Sequence, residues 1–209
     1  MKRISILTLI LTAFFLSSNT SCNPESIEPV AYADQVSEDE TNGLIYMREE
    51  EKLARDVYIT LFKMYDNTIF NNISKAEQRH MDQVLTILEK YNIKDPSLPT
   101  VGEFSIKFLQ DLFDDLITQG SDSEIAALIV GATIEDVDIY DLDNFTAETT
   151  DADIIKLYSS LACGSRNHMR AFISRLTDLG VTYSPQFISQ EKFDSIVSGE
   201  QEKCGQLGN

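Results

Sequence analysis

Residues 73–84 read ISKAEQRHMDQV, and the spacing of their apolar positions decides the fold. Ile73, Met81 and Val84, continued by Leu88 and Tyr91, recur at three and four residues and trace one face of a helix. Glu77 and His80 fall inside that face. Burying a carboxylate without a partner costs several kcal/mol, so a helix that turns this pair inward needs something for it to meet. Ser74 and Glu77 also have the spacing of a capping box at a helix start, and that reading stays open from this stretch alone.

Working outward, helix-breaking residues cluster at 92–102 (NIKDPSLPTVG), at Gly120-Ser121, at 146–151 (TAETTD) and from Gly180 onward. Between them the periodicity is helical, and no segment reads as a strand of any length. The spacing predicts helices at about 41–67, 73–92, 102–119, 122–146 and 151–179, with a short one near 189–198. Asp151 is the expected N-cap and Gly180 the expected stop of the fifth. Four of these are long enough for a bundle, and the 102–119 segment falls in the connection between its halves. The fold class expected is all-α, a four-helix bundle with a short helix in its crossover.

The same wheel places more ionisable residues on apolar faces. In the first helix Met47, Leu53, Ala54, Val57, Tyr58, Leu61 and Tyr65 form the stripe, with Glu50 inside it, Glu51 at its edge and Glu49 pointing away. In the fourth, Leu128, Gly131, Leu142 and Phe145 share a face with Glu135 and Asp138; in the fifth, Leu157, Leu161, Phe172 and Leu176 share one with His168. Each has an ordinary explanation taken alone. Glu50 and Glu51 can pair with Lys52 or Arg55 at the surface, Asp138 can be solvated within EDVDIYDLD, and a single core histidine is commonly just hydrogen-bonded. Together they place both histidines of the chain and several carboxylates near the middle of four helices. Such a cluster needs protons or metal ions among its members. Glu50, Glu77, His80, Glu135, Asp138 and His168 are therefore the candidate ligands for two transition-metal ions, with Glu135 the expected bridge. Mixed carboxylate and imidazole donors suit iron first, with manganese or zinc as alternatives, better than calcium.

The ends set the context. MKRISILTLILTAFFLSSNTSC joins Lys2 and Arg3 to an apolar run from Ile4 to Leu16 and then to small polar residues, the layout of a secretory signal over residues 1–21. That run is too short to span a bilayer. Cys22 stands where a bacterial lipoprotein carries its lipid, although Asn19 departs from the usual aliphatic residue three places earlier. Export is the expectation, with a lipid anchor at Cys22 or simple cleavage and release. Residues 22–40 read as a tether, 41–185 as the bundle domain and 186–209 as a C-terminal tail. Lys2 and Arg3 belong to the leader, so the mature chain keeps 15 of 17 basic residues against 34 acidic ones, a formal charge of −19. A surface of that sign repels nucleic acid and anionic membranes and attracts cations, leaving the lipid as the one expected membrane attachment. With Cys22 lipidated, Cys163 and Cys204 remain as a pair that can bridge a helix to the tail; a free buried Cys163 is the alternative.

LIYMREEEKLARDVY, KAEQRHMDQV, GATIEDVDIYDL and GSRNHMRAF, in that order and spacing, resemble a ferritin-like family of bacterial and archaeal proteins known only as a domain of unknown function (DUF2202-like). The likeness covers about residues 41–185. It implies a ferritin-like four-helix bundle and no known activity. The ferritin-like metal pattern, carried over position by position, falls on Glu50, on Glu77 with His80, on Glu135 and on His168. It lacks the glutamate three residues before His168, where this chain has Ser165, and Asp138 is the carboxylate available to replace it. Arg79, Arg166 and Asn167 are candidate supporting partners. The expected function is redox chemistry at the metal pair, as oxidation of Fe(II) by oxygen or peroxide, or peroxide removal. A metal-binding or sensing module without turnover and a structural envelope bundle are the alternatives, and assembly into homo-oligomers is left open.

Overall fold

The computed structural model describes residues 36–205. The expected signal peptide, Cys22 and the tether up to residue 35 lie outside them. Within the described residues there are six helices and no strand: α1 (Glu38–Tyr65), α2 (Thr68–Lys90), α3 (Lys107–Gly120), α4 (Glu124–Glu148), α5 (Ala152–Asp178) and α6 (Gln190–Ser198).

The helix ends follow from their caps. Ser37 and Glu40 form a capping box, so α1 begins at Glu38, inside what the sequence suggests is tether. It ends at Asp66, whose left-handed backbone (φ 52°) lets its N–H reach the Phe62 carbonyl. Asn67 then caps α2 through the Ile69 N–H, five residues before the expected start. Ser74 is mid-helix and donates to the Asn71 carbonyl, which removes the capping-box reading of Ser74 and Glu77. Asp151 caps α5 as expected, accepting from Asp153 and Ile154. The third helix starts at Lys107, not near 102, because residues 100–105, which turn at Val101 and Gly102 (φ 81°), are held by side chains of α1.

Two-residue and three-residue links make α1/α2 and α4/α5 into antiparallel hairpins. The hairpins face each other, as Tyr58 meets Glu135 between α1 and α4 while Phe70 packs on Phe172 between α2 and α5. The buried apolar residues fall into two clusters. One contains Leu53, Val57 and Leu61 of α1 with Phe70, Ile73, Leu128 and Phe172; the other contains Leu44 and Met47 with Val84, Leu88, Leu142, Leu157 and Leu161. On α1, α2 and α5 the ionisable positions lie between the helix's contributions to the two clusters, and on α4 Glu135 and Asp138 stand between Ile134 and Ile139 of the first, ahead of Leu142 of the second. Apolar burial at about 25 cal/mol per Å² therefore holds the helices together above and below a charged layer.

Glu49 points away from the core stripe, yet it is not solvated: it is fully buried and accepts from the backbone and hydroxyl of Ser105. Lys52, also fully buried, bonds Asp56 at 2.5 Å and the carbonyls of Thr100 and Glu103, while Asp56 accepts from the Gly102 N–H. Arg48 grips Asp95 through two nitrogens. These α1 charges pin the crossover, and their hydrogen bonds offset the cost of burying them. At the other end Asp136, fully buried, accepts from the Tyr183 hydroxyl and from the N–H groups of Gln186, Phe187 and Ile188, fixing the chain that leads into α6.

Candidate metal centre

Six carboxylates and two imidazoles converge in the charged layer. The Nδ1 atom of His80 lies 2.8 Å from Glu77 Oε2 and 3.1 Å from Glu51 Oε2. The Nδ1 atom of His168 lies 2.8 Å from Glu77 Oε1 and 3.4 Å from Glu135 Oε2. The two rings stack with centroids 5.5 Å apart. Glu51, Glu77 and Glu135 are each 2 % exposed, so all three are withdrawn from water. The result is two three-residue groups, Glu51–Glu77–His80 and Glu77–Glu135–His168, with ligand-type atoms in each within 4.8 Å of one another.

Glu77 is common to both groups and offers one oxygen to each histidine. It, and not Glu135, has the place of a bridge. Helical geometry explains this: Glu77 and His80 are three residues apart on one face, and α5 brings His168 against the other oxygen. The residue α1 contributes is Glu51, which the sequence places only at the edge of the apolar stripe. Glu50, the expected ligand, is buried one position away and faces Asp138 and Asp141 on α4. Glu135 accepts a 2.6 Å bond from the buried Tyr58 hydroxyl. Ser165, standing where a glutamate was expected, donates to Asp138. Arg79 instead reaches the Lys75 carbonyl at the surface, and Arg166 and Asn167 bind Glu202 of the tail, so none of the three supports the site directly. Tyr58, Asp141 and Glu51 are the contributors sequence reasoning passed over. Of these Asp141 left no signal on the wheel, whereas Tyr58 fell within the apolar stripe of the first helix and Glu51 at its edge.

The electrostatics describe a cluster short of positive charge. Burial, with Asp138 and Asp141 nearby, holds the Glu50 carboxyl well above the usual carboxylate range. Burial and the neighbouring Glu51 and Glu135 do the same to Asp138. Burial pushes Glu51 up to about 7 even though His80 pulls the other way. Glu77 is the exception: burial raises it, but two histidines outweigh burial and hold it below its ordinary value. Burial disfavours charge on His168, yet Glu77 and Glu135 lift it to about 10. His80 is raised in the same way by Glu51 and Glu77 against its own burial.

Several atoms of the layer lack a hydrogen-bond partner while fully buried: Glu50 Oε2, Glu51 Oε1, Glu77 Oε1, Asp138 Oδ1 and His168 Nδ1. Glu77 Oε1 and His168 Nδ1 are close, but out of line for a hydrogen bond. Orphaned buried oxygens concentrated in one layer, beside imidazole nitrogens, fit a cation better than they fit one another.

Outside the layer, Cys163 of α5 and Cys204 of the tail are joined, with Cα atoms 5.5 Å apart. A groove of about 900 Å³ runs between α2 and α5 from the surface to His80 and His168, with Glu202, Cys204 and Gly205 along one side. Among the described residues no helix is long and apolar enough to cross a membrane.

Comparison with known proteins places this geometry among relatives without assigned roles. The description "Uncharacterized protein domain (DUF2202)" matches residues 40–200. The match therefore takes in α6 and most of the tail as well as the four long helices. An uncharacterized protein of Methanocaldococcus jannaschii, MJ0754, is 50% identical over 169 residues, which is 80% of this chain and 91% of that protein. A crystal structure of the hypothetical protein MJ0754 superposes with a TM-score of 0.80 at 48% identity, covering 85% of this chain and 100% of that one.

Proposed function

The chain belongs to the DUF2202 family, and we propose that it is a ferritin-like four-helix bundle holding two transition-metal ions for redox chemistry. The observation that carries this reading is the sharing of Glu77 between two histidine-containing groups, together with the unpartnered oxygens around them. Glu51, Glu77 and His80 would hold one ion, and Glu77, Glu135 and His168 the other. Asp138 is near enough to act on both, and Tyr58 fixes the Glu135 carboxylate through its second oxygen. Iron is the first choice of metal for such donors, with manganese or zinc as alternatives. A pair of iron ions would supply electrons to oxygen or peroxide, which matches ferrous oxidation or peroxide removal. The protein's part is to position both imidazoles with Nδ1 toward the carboxylates, exclude bulk water with the apolar clusters on either side, and turn the outer edge of the rings toward the groove between α2 and α5.

A non-catalytic metal-binding or sensing module is the second reading, favoured by Ser165. With a serine in that place, α5 offers no carboxylate, and Asp138 is already engaged by the Ser165 hydroxyl. The leader sequence and Cys22 support an exported, lipid-anchored form of either protein. The test is to load metal-free protein with Fe(II) and follow oxidation with oxygen and with peroxide. Oxidation faster than in buffer supports the redox reading, two bound ions without faster oxidation support the module, and no bound metal rejects both.

A further inference from the structure

The tail after α6 is built into the wall of the groove that leads to the histidines. Glu202 accepts from Arg166 and Arg170 of α5, its backbone N–H and carbonyl engage Asn167, and the Gly205 carbonyl accepts from Ser160. All four partners are on α5, and the covalent link from Cys204 enters α5 at Cys163. The two residues that follow Cys163 touch the charged layer. Gly164 leaves room for the Nε2 edge of the His80 ring, which a Cβ at this position would overlap, and Ser165 holds Asp138. Neither imidazole Nε2 has a protein hydrogen-bond partner among the described residues, and both rings line the groove. Cys163 is buried, whereas Cys204 is exposed and open to attack by a thiolate.

We infer that residues 199–205 are a disulfide-latched gate that narrows the α2/α5 groove leading to the histidine layer, and that reducing Cys163–Cys204 widens it. The reductant is a dithiol. Its thiolate attacks Cys204, the S–S bond breaks, two electrons and two protons pass to the cysteines, and the reagent leaves as its cyclic disulfide. Without the link the tail is held by the Glu202 ion pairs and a few hydrogen bonds at the surface, contacts that open far more readily than the packed helices. What the gate admits rests on the metal reading; whether the gate exists does not.

The test therefore uses metal-free full-length protein and the rate at which diethyl pyrocarbonate acylates its histidines, of which there are only two. Reduced wild type and Cys204→Ser should react about tenfold faster than oxidised wild type, as expected when a protecting segment opens locally. Glu202→Gln, which keeps the disulfide, should fall between them. Helical circular dichroism is recorded on each sample. Equal rates in the oxidised and reduced protein would overturn the gate, and so would loss of helix on reduction, because the bond would then be holding the bundle and not the entrance. Co(II) uptake followed by its visible absorption gives the second arm: faster uptake by Cys204→Ser supports the gate. Failure of every form to bind Co(II) would reject the metal reading while the acylation rates still decide the gate.

Discussion

Replacing Glu77 by glutamine separates a shared bridging carboxylate from an ordinary core acid. Each oxygen of Glu77 stands 2.8 Å from a histidine Nδ1, so the change removes a ligand from both proposed ion positions at once. Altering a group that only orients a ligand costs about 10–100-fold in metal affinity, so loss of a direct ligand should exceed about 100-fold at each position. His80→Ala and His168→Ala each touch one group only and should each retain one ion. Glu50→Gln should retain both, because Glu50 lies outside the two groups and its amide imitates the protonated acid that burial favours there. The metal-free protein gives an independent reading. Glu77 is the common counter-charge of two buried imidazoles, and removing one partner of a buried pair costs about 3–5 kcal/mol. Deprotonating the histidines relieves that cost, so the Glu77→Gln penalty should be largest in acid and shrink as pH rises. The assay is metal content by elemental analysis after loading, with thermal melts of the apo forms. A Glu77→Gln protein that still holds two ions, or one no less stable than Glu50→Gln, would refute the assignment.

Other outcomes follow from the same layer. Glu51 and His168 hold protons in the folded state that the unfolded chain releases at lower pH, from about 4.5 up to 7 for Glu51 and from about 6.5 up to 10 for His168. Stability of the apo protein should therefore fall as pH rises from about 5 to about 9, and it should also fall in stronger acid as Glu77, whose pKa is lowered, takes up a proton. Melts across that range would show the slope, and bound metal should flatten it, since the ions replace the same protons. Gly164→Ala should displace the His80 ring and lower loading to one ion with the fold intact, measured by elemental analysis and circular dichroism. Asp136→Ala strands four donors that now share one carboxylate, so it should cost about 3 kcal/mol or more by denaturant unfolding without changing metal content.

The helical class and the level of the charged layer were legible because both rest on period. Ile73, Met81, Val84 and Leu88 fix a face, and anything ionisable on that face must enter the core. Which of two adjacent glutamates enters was not legible. Glu50 and Glu51 differ by about 100° on the wheel, and the choice between them depends on where α2 sits against α1, a tertiary quantity. The burial of Glu49, Lys52 and Asp56 was hidden for a related reason: their face is polar to the sequence, and only the crossover at 100–105 covers it. The start of α2 was missed because Asn67 lies where the apolar stripe has not yet begun, while Ser74 offered a more regular signature in a place that turned out to be mid-helix. The bridge from Cys163 to Cys204 was one of two readings the cysteine count allowed, and the path of the tail, which no local pattern encodes, decides for it over a free Cys163.

On the proposed reading, Ser165 changes how the centre is balanced more than whether it can exist. Two divalent ions bring four positive charges, and Glu51, Glu77 and Glu135 would return three negative ones. Asp138 would supply the fourth on ionising, from α4 in place of α5, and the Ser165 hydroxyl is placed to steady it in that state. In the ion-free protein protons occupy the same account of charge: burial favours them on Glu50 and Asp138, and the surrounding carboxylates favour them on the two histidines. Loading would then exchange protons for metal at constant burial, and the layer need not move to accept its ions. Glu50 has no such role. With Asp141 beside it and the Tyr46 hydroxyl beyond, it can keep its proton in both states, which is why a carboxylate so deeply buried need not be a ligand.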